Sequence, residues 1–200
     1  MSAPESKSSR AEGPDLVEQG PEDADVLFVL DPAGLGRHGD LPASWRGIAR
    51  STHIAWLRLP AAEAAMPRAR DVLERLAEGG GAIDLVAEGA AAEPAMLLAT
   101  ESFAGGEPRT VRSVLLVDPE PRSRPIEQVL IGHGVRVKVL DRGATRVPLG
   151  HPRVVAEVAG ELHGRRMPAR PRRTSRRPSV AGQVWQAVRM RIRDRFTRPR

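Results

Sequence analysis

The sequence contains no cysteine and no tyrosine, and aromatic residues make up only 3% of its 200 residues. Without cysteine the chain can form neither disulfide bonds nor thiolate metal sites, and it has no thiol nucleophile. Hydrophobic residues make up 40% of the chain, which is typical of a globular domain. The core of that domain must therefore be built from aliphatic side chains and alanine.

Long hydrophobic runs are also missing. No apolar stretch approaches the roughly 20 residues of a membrane-spanning helix, and residues 1–24 lack the apolar segment of a secretory signal peptide. We therefore expect a cytoplasmic protein. The alternative is a protein that binds peripherally to the inner face of the membrane. The five histidines lack the spacing of metal ligands, so we expect no metal and no cofactor.

Positive charge is concentrated at the C-terminal end of the chain. Residues 165–200 contain 13 arginines and one acid, Asp194, which gives a formal charge of +12 and leaves −6 on residues 1–164. The high isoelectric point therefore describes a basic tail attached to an acidic domain.

Composition divides the chain into four parts. Residues 1–24 are polar and predict a disordered segment. Residues 25–163 form the predicted folded domain. Residues 164–179 are rich in arginine and proline and predict an extended linker. Residues 180–197 predict a basic amphipathic helix.

Five strands alternate with helices in the folded domain. The predicted strands are residues 26–30, 53–59, 82–87, 111–117 and 135–140. The predicted helices are residues 43–50, 68–78, 90–101, 124–131 and 152–162. This alternation predicts a three-layer, doubly wound α/β sandwich with a mostly parallel five-stranded sheet. Its ligand site should lie outside the carboxyl ends of the strands.

The turn between the third strand and its helix has an informative sequence. Ala87-Glu88-Gly89-Ala90-Ala91 has the frame of a nucleophile elbow, G-x-S-x-G, in which a tight strand-to-helix turn presents a serine. Gly89 stands at the position of the serine and has no side chain that could attack a carbonyl. Taken alone, the same residues also suit a plain strand-to-helix turn.

Together with residues 25–36, 45–49, 53–60, 111–119 and 150–152, this turn resembles the α/β-hydrolase superfamily, and within it small acyl thioesterases. The resemblance covers about residues 25–162. It implies that Ala90 supplies one oxyanion N–H group, and that Ala33 or Gly34 supplies the other.

The resemblance also assigns the remaining catalytic positions. Asp118 and Asp141 end strands where the family places its acid, and His151 lies where the family places its base. The alternative interpretation, without the resemblance, is that the two aspartates are solvent-facing strand ends and that His151 is an ordinary histidine at a helix start. The G-x-G-x-x-G match at residues 34–39 offers another alternative, a dinucleotide-binding loop.

The leading hypothesis is a pseudoenzyme that binds an acyl or carboxylate ligand, or a partner protein. The candidate ligand-binding residues are Ala33, Gly34, Glu88, Gly89 and Ala90. An alternative is an active ester or thioester hydrolase that uses Glu88, Ser44 or Ser102 as its nucleophile. Because the family's first strands are missing, a sheet edge would lie open, and a homodimer is a further expectation.

The tail supports another hypothesis, an interaction protein. Its candidate contact residues are Arg172, Arg173, Arg176, Arg177, Trp185, Arg189, Arg193 and Phe196. A basic helix with aromatic residues on its apolar face suits an anionic membrane surface, and a basic linker suits nucleic acid. Docking of the tail on the acidic domain is the remaining alternative.

Overall fold

The computed structural model describes residues 14–32, 34, 39–59, 62–103, 111–120, 124–140 and 147–164. The candidate residues Ala33 and Asp141 lie outside this part of the chain. So do the predicted tail helix and the linker beyond Gly164, with all of their candidate contact residues.

A six-stranded sheet forms the centre of the domain. Its strands are β1 (Leu16–Gln19), β2 (Val26–Asp31), β3 (His53–Arg58), β4 (Ile83–Glu88), β5 (Val111–Val117) and β6 (Arg136–Leu140). Their order across the sheet is β1-β3-β2-β4-β5-β6. β1 is antiparallel to β3, and all other neighbours are parallel. The mostly parallel sheet is confirmed, and the five predicted strands are β2 to β6.

The sixth strand, β1, shows that Leu16–Gln19, within the segment for which we predict disorder, are ordered. Its four residues pair with β3 in the register Leu16–Leu57 to Gln19–Ile54, and Val17 is buried. The polar composition of the whole segment concealed this short apolar pair. β1 covers the outer edge of β3 and is itself the edge strand on this side of the sheet, so the homodimer stays a prediction.

In the described part of the chain, four helices and three short 3-10 turns surround the sheet. The helices are α1 (Ala62–Glu78), α2 (Ala92–Glu101), α3 (Arg124–Gly132) and α4 (Pro152–His163). α1 begins six residues earlier than predicted and contains Pro67. Residues 43–50 form two 3-10 turns instead of one helix, with Gly47, a poor helix former, between them.

Both faces of the sheet are covered, as expected for a three-layer sandwich. α1, α2 and α3 pack on the face that carries Phe28, Leu85 and Leu116. α4 and the 3-10 turns of residues 43–50 pack on the opposite face, where the rings of Trp45 and Trp56 meet edge to face at 5.1 Å. Among the described helices, none is long and apolar enough to cross a membrane.

A buried ion pair closes the amino end of the sheet. Asp84 of β4 is fully buried and accepts hydrogen bonds from the Arg112 guanidinium at 2.6 Å and from the Ser113 hydroxyl at 2.5 Å. The register shifts here, because Ile83 pairs with Val111 but Asp84 pairs with Ser113. The shift lets two consecutive residues of β5 reach one carboxylate.

Arg112 also bonds Asp25, at 2.8 Å. The hydrogen bond from Arg112 to Asp84 raises the pKa of the guanidinium above its ordinary value, so the guanidinium keeps its charge. Removing the Asp84 carboxylate would leave a partly buried cation with one remaining partner.

We expect Asp84→Ala to lower the free energy of unfolding by about 3 kcal/mol, because Arg112 loses its buried partner and the buried Ser113 hydroxyl loses its acceptor. Asp71→Ala removes an exposed carboxylate from α1 and should change that free energy by less than about 0.5 kcal/mol. Urea denaturation of the full chain measures both. Equal effects of the two substitutions would contradict the stabilising role of Asp84.

Candidate functional site at the carboxyl end of the sheet

The strand order reverses between β2 and β4, which are parallel neighbours at the centre of the sheet. From β2 the chain continues to β3 on one side, and from β4 it continues to β5 on the other. In doubly wound sheets the ligand crevice lies at such a reversal, outside the carboxyl ends of the strands. Gly34 follows β2 and Gly89 follows β4, so the fold brings these two predicted loops to adjacent strands.

The turn after β4 has the backbone of an elbow. β4 ends at Glu88, a 3-10 turn runs over Gly89–Ala91, and α2 begins at Ala92. Gly89 has a φ of +53°, and a Cβ atom added there would meet no atom within 4 Å. The predicted strand, turn and helix are confirmed. Glycine adopts this left-handed backbone freely, whereas a residue with a Cβ would be strained there despite the open space.

The loop after β2 is held by a buried carboxylate. Asp31 is fully buried and accepts a hydrogen bond from the Gly34 N–H group at 3.0 Å. Its second oxygen accepts from the Trp56 indole at 2.9 Å. The N–H of Gly34, one of the two predicted oxyanion donors, is thus directed at a side chain of its own loop.

The loop after β5 reaches the elbow from the other side. The N–H of Glu120 donates to the carbonyl of Gly89 at 3.3 Å. Asp118 accepts from the N–H of Val147 at 3.4 Å. Its φ of +41° is the one positive value among the described residues other than glycine, and such strained positions cluster at functional sites.

Residues 147–150, which we call the strap, cross this end of the sheet. The N–H of Leu149 donates to the Glu88 carboxylate at 3.2 Å. The carbonyl of Leu149 accepts from the Trp45 indole at 2.9 Å, and the carbonyl of Gly150 accepts from the Ser44 hydroxyl at 2.8 Å. The strap therefore joins the elbow after β4 to the segment that follows β2.

His151 directly follows the strap and caps α4. Its Nδ1 atom accepts a hydrogen bond from the N–H of Arg153 at 3.2 Å. A neutral imidazole that accepts at Nδ1 carries its proton on Nε2. The general base of a catalytic triad needs the opposite tautomer, with Nδ1–H donated to the acid. This geometry agrees with the alternative of a helix-start histidine, and the catalytic role of His151 stays a prediction.

Both displaced serines that were candidate nucleophiles form hydrogen bonds with the backbone. Ser44 donates to Gly150, as described above, and Ser102 donates to the carbonyl of Ala99 at 2.7 Å near the end of α2. Residues 35–38 of the G-x-G-x-x-G match lie outside the described residues. Within the described part of the chain, no group of three or more histidine, aspartate or glutamate side chains could hold a metal ion.

Sequence reasoning missed the two residues that organise the β2 side of the site. Asp31 ends an apolar strand before Pro32 and was treated only as part of the loop sequence. Trp56 lies 25 residues later in the chain. An aspartate at the end of an apolar strand is a usable sequence signal. If it is buried, its carboxylate needs hydrogen-bond donors close by, and it then organises the loop that follows.

We expect Gly89→Ala to lower the free energy of unfolding by about 1–2 kcal/mol, since a Cβ disfavours this left-handed conformation. Gly160→Ala is the matched control. Gly160 lies in α4 without a positive φ and also has open space around it, so alanine should raise that free energy by about 0.5–1 kcal/mol. Chemical denaturation measures the free energy of unfolding of both variants. A higher free energy of unfolding for Gly89→Ala would contradict the left-handed conformation of Gly89.

No protein-family model matches the chain. No curated protein matches it either. Solved structures do. An epoxide hydrolase of the α/β-hydrolase superfamily from metagenomes of hot environments is 17% identical, with a TM-score of 0.37 over 86% of this chain and 59% of that chain. This chain therefore spans less than two thirds of that protein.

Two thioesterase domains are also similar. One comes from the curacin biosynthetic pathway and is 13% identical, with a TM-score of 0.33 over 58% of this chain and 46% of that chain. The other was solved with a genetically encoded 2,3-diaminopropionic acid bound with a dodecadepsipeptide, and is 15% identical, with a TM-score of 0.36 over 76% and 58% of the two chains.

Superpositions this loose carry no argument about activity. The topology of the chain itself, with its mostly parallel sheet and its elbow after a central strand, is that of a reduced α/β-hydrolase-like fold.

Proposed function

We propose that this protein is a non-catalytic, hydrolase-like binding module. The observation that carries the proposal is Gly89, which occupies the nucleophile position of an otherwise complete elbow. Acyl transfer through a covalent intermediate needs a nucleophilic side chain at that turn. The elbow offers Glu88 alone, and Glu88 accepts a hydrogen bond from the strap.

The ligand that fits this site best is a neutral acyl group or the surface of a partner protein. A ligand carboxylate directed at the Gly34 N–H would meet the buried Asp31 carboxylate that this N–H already binds. Two carboxylates that share one site repel each other, so one would have to take up a proton. We therefore favour a neutral carbonyl ligand over a carboxylate.

We expect the wild-type protein to turn over neither p-nitrophenyl esters nor acyl-CoA thioesters above the buffer rate. Gly89→Ser restores the missing hydroxyl in open space, and His151→Ala removes the candidate base. Release of p-nitrophenol and of free thiol measures turnover in all three proteins. Wild-type turnover that His151→Ala abolishes would overturn the proposal.

The charge division of the chain favours a second candidate function, binding of an anionic partner through the tail. Residues 165–200 carry +12 against −6 on the preceding residues. Attraction of this kind weakens as salt is added. An anionic membrane and a nucleic acid differ in one requirement, because only the membrane needs the apolar face that includes Trp185 and Phe196.

We expect the full chain to bind vesicles that contain phosphatidylglycerol, and a chain without residues 165–200 to bind them at least about tenfold more weakly at low salt. The double variant Trp185→Ala, Phe196→Ala should lose vesicle binding while all arginines remain. Vesicle co-sedimentation measures this, with a single-stranded oligonucleotide in parallel. Equal vesicle binding by the shortened chain would exclude a role of the tail.

A further inference from the structure

We infer that Glu88 is a latch that holds the strap across the ligand crevice, so that a ligand enters only when the Glu88–Leu149 hydrogen bond breaks. The inference rests on the proposed function, since it describes how the same crevice is opened and closed. Four hydrogen bonds carry it, together with the burial of one leucine.

The strap lies where a ligand of a doubly wound sheet is expected. One of its anchors, Glu88, ends β4, and another, Trp45, follows β2. These are the two strands between which the strand order reverses. The strap thus spans the reversal point from one side to the other.

Leu149 closes this region to water. Its side chain has no exposed surface, and it packs in the same hydrophobic cluster as Trp45, Val86 and Val154. The strap is therefore a buried part of the layer on the α4 face. Displacing it would expose the Leu149 side chain and the backbone groups of Leu149 and Gly150 that form hydrogen bonds.

Two carboxylates hold the strap, because Asp118 accepts from the N–H of Val147 and Glu88 accepts from the N–H of Leu149. Of these two anchors, Glu88 lies next to the elbow. It is the residue directly before Gly89, so anything that occupies the elbow acts first on its backbone. It is also a charged acceptor, and a hydrogen bond from an N–H to a carboxylate is stronger than a neutral one. Ser44 and Trp45 donate to the strap from the opposite side. These two hydrogen bonds remain when the hydrogen bond to Glu88 breaks, so the strap stays attached at that side.

The experiment compares amide hydrogen exchange in the wild type, Glu88→Ala and Glu88→Gln. Glu88→Ala should speed exchange of the Leu149 amide at least about tenfold, because that N–H loses a charged acceptor. Glu88→Gln keeps a carbonyl acceptor and should fall between the two. The amide of Val155, which bonds His151 inside α4, should exchange at the same rate in all three proteins.

Glu74→Ala is the matched control, since Glu74 is an exposed glutamate of α1 and its loss should leave the Leu149 amide unchanged. Octanamide serves as a neutral acyl probe. Glu88→Ala should bind it about fivefold more tightly than the wild type, because the open state is more populated. Isothermal calorimetry measures the affinities.

The outcomes separate the latch from the proposed function. Unchanged exchange at Leu149 in a folded Glu88→Ala protein overturns the latch, and so does equal octanamide affinity with the wild type. Faster exchange without octanamide binding by any variant supports the latch as a structural device, while the acyl-binding function falls.

Discussion

The parallel pairing of β2 with β3 on one side and β4 on the other determines the rest of the structure. All six residues of β2 are buried, so this strand cannot lie at an edge. Because the chain leaves β2 and β4 in opposite directions, their following loops diverge at the carboxyl end of the sheet. The elbow, the strap and the Asp31 network all lie at this divergence.

Two carboxylates end these central strands side by side. Leu30 pairs with Ala87, and Asp31 and Glu88 are the next residues on their strands. Each accepts a hydrogen bond from the backbone of a different segment, Asp31 from the loop after β2 and Glu88 from the strap. A buried or half-buried carboxylate is costly unless donors satisfy it. The two acids therefore fix both segments at the carboxyl end of the sheet.

The sequence predicted the parts of the fold that depend on local pattern. Continuous apolar runs located β2 to β6, and small residues located the turn at Gly89. β1 was missed because Leu16 and Val17 gain their burial only from pairing with β3. The strap was missed for a similar reason. Its hydrogen bond to Glu88 joins residues that are 61 positions apart, and neither local sequence contains a pattern that predicts the contact. The resemblance pointed to Gly34 and Gly89, which the fold places after adjacent strands, but it did not reveal that the Gly34 N–H group donates to Asp31.

The absence of a side chain at Gly89 and the presence of the strap are physically consistent. A serine at the elbow needs free space in front of it for a substrate carbonyl and a base within hydrogen-bonding distance. Here the imidazole of His151 is directed at its own helix, and the carboxylate beside the elbow is directed at the strap. Among the described candidate residues, His151 thus caps α4, and Glu88 and Asp118 accept hydrogen bonds from the strap. The same side chains that the hydrolase frame would use in a site therefore also fix the ends of these segments.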